Sequence, residues 1–430
     1  MSATLALHGG PPTRTHSWLT YDQGNVMVDE SDIKAAERAV RSQLLFRYDK
    51  RKYAETEVGK FELACAEFLG SRFALATASG TTALALSLMG AGIGKGDLVA
   101  CPAFTFPATP SAIQMVGADM QLIEVDENLN FDLDDLATKL DPRLRAIVVV
   151  HMRGVASNIE EIIDFAIQRD IVVIEDAVPV FGSTFHGKML GTFGHAGAFS
   201  TQSDKALNTG EGGLVVTDDQ DIYERMCALA GTYEGRLQRH LSPHDVSTQL
   251  DERTLPILSW RMDEIRAAIG SNQLAKFHAR HNAALANHDE IVGRIKSIPG
   301  LLIRGSDAIG DGIAGDSLIV RLPNHTPEDA AFVAEALRLE GIGVRCLGDW
   351  TDVNSRCFWN WLFCFEGMTE SQIKNIAPRS VTYLETAIDI PLSPLMTSQD
   401  RDDLVDALNK VLTFVTTEGI TTRSPAVDVA

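Results

Sequence analysis

Apolar and polar positions along this chain change period several times. From VGKFELACAEFLG onward, stretches with a helical repeat alternate with short apolar runs: RFALAT, TTALALSLMG, LVACPAF, ATPSAIQMVG, MQLIEV, LDDLATKL, RAIVVVH, NIEEIIDFAIQRD and IVVIEDA. Continuous apolar runs of strand length, separated by helical segments, predict βαβ units and a mostly parallel sheet. Ligands are then expected outside the carboxyl ends of the strands. After a long helical stretch around MDEIRAAIGSNQLAKFHARHNAALANHDEIVGRIK, the pattern becomes α+β, with strands at SLIVRLP, IGVRCL and AIDIPL. Its helix TPEDAAFVAEALRLEG carries a threonine cap, a first-turn proline, early acids and a closing glycine. The expected fold class is therefore α/β, with a large domain and a smaller α+β C-terminal domain. Residues 1–55 read as a lead-in with one helix at DESDIKAAERAVRSQ, 56–285 as the large domain, 286–420 as the small domain and 421–430 as a flexible tail.

Composition narrows the function. A formal net charge of -20 over 430 residues excludes a general nucleic-acid binder, which needs a phosphate-neutralising field. The six cysteines are scattered, without the short paired spacings of a zinc site or the density of a disulfide scaffold, so no metal is expected and the thiols are expected to be reduced. MSATLALHGGPPTRTHSW lacks the build of a secretory leader, and no stretch approaches the ~18 apolar residues of a membrane span. A cytoplasmic protein with no membrane partner is the expectation.

Four segments could carry chemistry at the strand ends. In ATASGTTALALSLM a strand runs out at Ser79-Gly80 and a helix opens with Thr81, an arrangement that caps a helix or presents backbone amides to an anion. IVVIEDAV ends in Glu175 and Asp176, which cap the next turn or place a buried carboxylate against a cationic ring nitrogen. CPAFTFPATPSAI offers Phe104 or Phe106 as core or as a platform for a flat heterocycle. FSTQSDKALNTGEGG sets Ser200 five residues before Lys205, so that a hydroxyl could meet a phosphate while an amine reaches an aldehyde. Together these are the parts needed to hold pyridoxal 5'-phosphate (PLP). The glycine-rich GAGIGKGD follows a helix and precedes a strand, the reverse of a phosphate loop, and is read as a connection.

The order LALHGGPPTR, LLFRY, SGTTAL, GIGKGDLVACPAFTFPAT, VVHMRG, VIEDA, GTFGHAGAFSTQSDKALNTGEGGLVVTDD and SWRMDEIRAAIGSNQL resembles the DegT/StrS sugar aminotransferases, fold-type-I PLP-dependent enzymes, from about residue 4 to about residue 415. The resemblance implies that Lys205 bonds to the cofactor aldehyde and that Asp176 partners the pyridine nitrogen. It implies that Ser79, Gly80, Thr81 and Ser200 hold the phosphate and that Phe106 stacks on the ring. Lysine at 205 also separates the chain from the dehydratase branch, which has histidine there. The implied reaction moves an amino group from glutamate or glutamine to a keto-sugar, with the freed Lys205 amine carrying the proton. A homodimer is implied as well.

Two positions depart from that pattern. EDAVPVFG places Pro179 and Phe181 where many members have glutamine and histidine, and Ser259 stands where an asparagine commonly begins the motif that reaches a neighbouring subunit's phosphate. Proline supplies no donor, so the ring must be tuned differently. Candidate substrate-facing residues are Phe46, Arg47, Tyr48, His151 and Arg153, together with WTDVNSRCFWNWLFCF, in which Trp359, Trp361 and Phe363 alternate as in a strand. A cyclitol or keto-acid sugar, or a non-catalytic PLP-binding role, are the alternatives to a nucleotide-linked keto-sugar.

Overall fold

The computed structural model describes residues 4–19, 27–234, 236–241, 247–306, 311–349 and 353–418. The tail at 421–430 and Trp350 to Asp352 lie outside the described residues. The large sheet uses β1 (Phe73–Thr77), β2 (Leu98–Pro102), β3 (Asp119–Ile123), β4 (Leu144–Val150) and β5 (Val172–Asp176). A hairpin, β6 (Thr184–Phe185) and β7 (Lys188–Met189), precedes β8 (Ala196–Ser200) and β9 (Gly213–Thr217). The seven strands lie in the order β1-β9-β8-β5-β4-β2-β3. Only β9 runs against its neighbours; β8, β5, β4, β2 and β3 pair in parallel. Since β9 is antiparallel to both β1 and β8, the carboxyl ends of β1, β2, β4, β5 and β8 emerge at one edge of the sheet.

The apolar strand runs are explained by burial on both faces. One core, including Leu75, Leu84, Val148 and Ile174, lies on one side of the sheet; the other, including Phe61, Ile147, Val173 and Phe199, lies on the other. A strand covered by helices on both faces has no polar alternation to display. A second sheet, β10 (Leu302–Ile303), β11 (Ser317–Arg321), β12 (Arg345–Cys346) and β13 (Ala387–Pro391), is antiparallel in the order β10-β11-β13-β12. Two well-capped helices pack on it, Pro327–Leu339 and Ser398–Glu418.

The 32-residue helix Glu264–Ile295 joins the two parts. Asp263 caps it through the amides of Ile265 and Arg266, and no proline interrupts it. Its early residues Ala267, Leu274 and Phe277 pack in the large domain, while Ile291, Val292 and Ile295 pack in the core of the small one. The predicted lead-in helix is Glu30–Arg41, and its Ala35 and Ala39 lie against Ala268 of the long helix. Leu5, from the lead-in, is buried in the small-domain core.

Arg304 follows β10 and is buried. Its guanidinium donates to the carbonyls of Asn128, Leu129 and Met152 and to Asn130 Oδ1, all in the large domain. Burial pulls it down to about 10.

The aromatic segment departs from its strand expectation. Phe358–Asn360 and Leu362–Cys364 form single 3-10 turns. Cys357, Phe358 and Trp359 are buried in succession, and Trp361 Nε1 donates to Ser355 O at 2.7 Å. No helix among the described residues is long and apolar enough to cross a membrane.

Candidate active site

A cavity of about 500 Å³ opens at the carboxyl edge of the large sheet. Each of five strands delivers lining residues as it ends. Ser79, Gly80 and Thr81 follow β1, Thr105 and Phe106 follow β2, Val150 and Met152 come from the end of β4, Asp176 closes β5, and Ser200 closes β8.

The first corner is the start of the helix Gly80–Gly90. Ser79 is its N-cap, accepting from the Thr82 amide at 3.1 Å, and Thr82 Oγ1 accepts in turn from the Ser79 amide at 2.9 Å. This leaves the first-turn amides of Gly80 and Thr81 at the cavity, with the positive end of the helix dipole. Position 80 admits only glycine without a shift, because a Cβ there would stand 2.8 Å from Ser200 Cβ. That close approach brings the Ser200 hydroxyl to the same corner as the amides.

Asp176 and Glu175 are adjacent in β5, so their side chains leave opposite faces of the sheet. Asp176 faces the cavity. Thr109 Oγ1 donates to its Oδ2 at 2.8 Å, and the Val178 amide lies 3.4 Å from Oδ1. Burial pushes this carboxyl above its ordinary range, against those hydrogen bonds and the neighbouring Lys205. Glu175 braces the scaffold instead: its carboxylate accepts from the amides of Gly191 and Gly194 at 2.8 and 2.7 Å. His151 completes that brace. Because Nδ1 accepts from the Ser157 amide at 3.1 Å, the proton on Nε2 is directed at Glu175, 3.0 Å away.

Lys205 sits in the loop between β8 and β9. Burial holds its amine below the ordinary lysine value, Arg153 is the next contributor in the same direction, and Asp204 and Asp316 oppose the shift. Its Nζ is 6.0 Å from the centre of the Phe106 ring. Between the two phenylalanines left open by the sequence, Phe106 is 54% exposed and lines the cavity, whereas Phe104 is 1% exposed and belongs to the core.

Lys205, Asp176, Ser79, Gly80, Thr81, Phe106, Ser200 and Arg153 are thus brought together, and Phe46, Arg47, Tyr48 and His151 do not line this cavity. Arg47 is buried in a two-pronged pair with Glu62, both bonds 2.8 Å, and Tyr48 shares a 2.8 Å hydrogen bond with His240. Phe46 is half exposed under the Arg261 guanidinium. Arg153 adopts φ 52°, unusual for a residue with a Cβ, and its Nη2 is 2.8 Å from Asp389 in β13.

The departures from the family pattern also have places. Pro179 and Phe181 both line the cavity, and Phe181 is part of an aromatic cluster, stacked on Phe68 at 5.5 Å and edge-on to Phe199 and Phe277. Ser259 stands at φ 56°, a left-handed position that asparagine tolerates better than serine.

Among the lining residues not singled out in the sequence are Arg280, His281 and Asp316, and Thr109, which bonds Asp176, was not singled out either. Thr109 is one helical turn beyond Thr105 and bonds both it and Asp176, a spacing visible in TFPAT. Arg280, His281 and Asp316 come from the long helix and the turn before β11 and carry no local signal, whereas Arg356 falls within the aromatic segment that the sequence singled out.

The residues fit PLP. A corner of backbone amides and a hydroxyl, an exposed aromatic face, a buried carboxyl group and an amine biased toward its neutral form line one cavity. Fold and site together define a class, the α/β enzymes whose cavity opens at the carboxyl edge of a seven-stranded, mostly parallel sheet. The chain belongs to the DegT/DnrJ/EryC1/StrS aminotransferase family, whose sequence profile matches residues 27–409. It is 34% identical to a GDP-perosamine synthase of Caulobacter vibrioides over 54% of this chain and 59% of that protein. The spore coat polysaccharide biosynthesis protein SpsC of Bacillus subtilis is 29% identical over 83% of this chain and 90% of its own. An L-glutamine:2-deoxy-scyllo-inosose aminotransferase of Streptomyces kanamyceticus is 31% identical over 66% of this chain and 67% of its own. The matched region therefore spans less than two thirds of the perosamine synthase's length. The fold is shared with 3-amino-5-hydroxybenzoic acid synthase, with a TM-score of 0.76 at 22% identity over 94% of this chain and all of that one.

Proposed function

We propose that the protein is a PLP-dependent aminotransferase moving an amino group from glutamate or glutamine to a keto-sugar, most simply a nucleotide-linked one. The observation that carries this reading is the convergence of Lys205 and Asp176 on one cavity whose corner is a helix N-terminus. PLP, when bound, supplies an aldehyde that captures amines and a protonated ring that accepts the electron pair left at the donor's alpha carbon. Ser200 and the amides of Gly80 and Thr81 hold the phosphate. Phe106 orients the ring, and Asp176 keeps the ring nitrogen protonated. Lys205, biased toward its neutral form, takes the proton from the donor's alpha carbon and returns it on the other side of the transfer.

The perosamine synthases support a nucleotide-linked substrate, and the scyllo-inosose relative favours a second reading, in which the acceptor is a cyclitol. We also propose a homodimer located in the cytoplasm, and a division into domains at 56–285 and 286–420.

Adding glutamate or glutamine to the PLP-loaded protein should move its visible absorbance band into the ultraviolet and release the matching keto acid. A panel of nucleotide-linked ketoses and cyclitol ketones should then restore the band with one class. The Lys205→Ala variant should lose at least about 10³-fold in turnover; full activity in that variant would end the assignment, and a band that no amino donor alters would favour a binding role.

A further inference from the structure

The loop from Thr201 to Gly212 is closed mainly on itself. The Lys205 amide donates to Gln202 O at 2.8 Å, Thr201 and Thr209 share a 2.6 Å hydroxyl contact, the Ser203 amide reaches Gly210 O at 3.1 Å, and the Gly210 amide reaches Asn208 Oδ1 at 2.8 Å. Such bonds give the loop a shape without fixing that shape against the cavity walls. Arg280 supplies a tie from outside: its Nη1 donates to the carbonyl of Ala206, the residue after Lys205, at 2.7 Å.

Arg280 is buried, lines the cavity and stands on the long helix. One turn earlier, Phe277 is packed edge-on against Phe181, 5.2 Å between ring centres, so the helix has little freedom at this level. A guanidinium bonded to a carbonyl is a charge-assisted contact whose planar fork also fixes direction.

We propose that Arg280 is a positioning residue for the reaction, holding the backbone beside Lys205 so that the amine stays inside the cavity and out of water. The inference rests on the reading of Lys205 as the reacting amine. Groups facing that amine are Asp204 in its own loop, Asp176 at the end of β5, Arg153 after β4, Asp316 before β11 and Arg356 from the aromatic segment. Arg280 itself and His281, on the long helix, line the same cavity.

The test uses the PLP-free full chain and needs no turnover. Lys205 is labelled with acetic anhydride across a pH series, and its peptide is quantified by mass spectrometry beside exposed lysines in wild type, Arg280→Met and Arg280→Lys. Wild-type Lys205 is expected to label with a midpoint below that of the exposed lysines. Both variants should move it upward, by about one pH unit in the Met variant, without changing the labelling of lysines elsewhere. In the loaded enzyme the Met variant should lose kcat on the order of tenfold or more with little change in KM. An unchanged midpoint in both variants would overturn the proposal. So would a shift in the Met variant with a wild-type midpoint in the Lys variant, since charge alone would then explain it. If the Met variant does not fold, the Lys variant against wild type decides. A wild-type Lys205 that titrates like an exposed lysine would instead remove the reading of Lys205 as the reacting amine, and this proposal with it.

Discussion

The floor of the cavity, from Ser79 to Ser200, and the wall facing it, from Arg280 to Arg356, meet around Lys205 but owe their positions to different forces. Floor residues stand within a few positions of a strand's carboxyl end, so the hydrogen-bonded ladder of the sheet places them. The wall is assembled from one face of the long helix, the turn before β11 and the irregular segment around Arg356, and is held by packing and ion pairs. Asp389 illustrates the second kind of order: its carboxylate accepts from Arg153 and from Ser317 Oγ at 3.1 Å and lies 3.8 Å from Arg356 Nη1. The difference separates chemistry from recognition. Floor substitutions, and Arg280 through its bond to the loop of Lys205, should damage the reaction, and the other wall substitutions should change what is accepted.

Asp176→Asn should have the largest effect and would break the comparison if it did not. Loss of a fixed charge opposite the developing charge is expected to lower kcat by about 10²–10³-fold. The same change should stabilise the PLP-free protein. Because burial raises the folded carboxyl above its unfolded value, the folded chain keeps its proton while the unfolded chain has lost it, and stability falls as pH rises through that window. Asparagine does not titrate, so the variant should melt above wild type at neutral pH, with the gap closing below about pH 4. Gly80→Ala comes next. The added methyl meets Ser200 Cβ, and overpacking of about 1–3 kcal/mol should appear as roughly a tenfold loss in PLP affinity by fluorescence titration. Arg356→Gln should be the mildest, raising KM for an anionic substrate by roughly threefold to tenfold while kcat holds. A collapse of kcat like that of Asp176→Asn would show that floor and wall are not separate.

What was legible in the sequence follows the same line. Ser79-Gly80-Thr81, Asp176, Ser200 and Lys205 stand at places where a change of period marks a strand end, and local pattern found them. Arg280 and Asp316 could not be found that way, because a charged residue on a helix or beside a glycine is ordinary surface until the tertiary packing buries it. Arg47 shows the converse. It stands in a motif of the family yet spends its guanidinium on Glu62, 15 positions away in sequence and on a neighbouring helix. The alternating tryptophans misled because two separate turns happened to space them by two.

Arg304 bears on how anything reaches Lys205. Swinging the small domain outward as a lid would strip the Arg304 guanidinium of the carbonyls of Asn128, Leu129 and Met152, breaking several charge-assisted hydrogen bonds at once. These bonds tie the small domain to the large one next to Met152, which lines the cavity. With the small domain tied at this point, a reactant would enter past the side chains at the rim, and the shape of that opening would take part in selecting it.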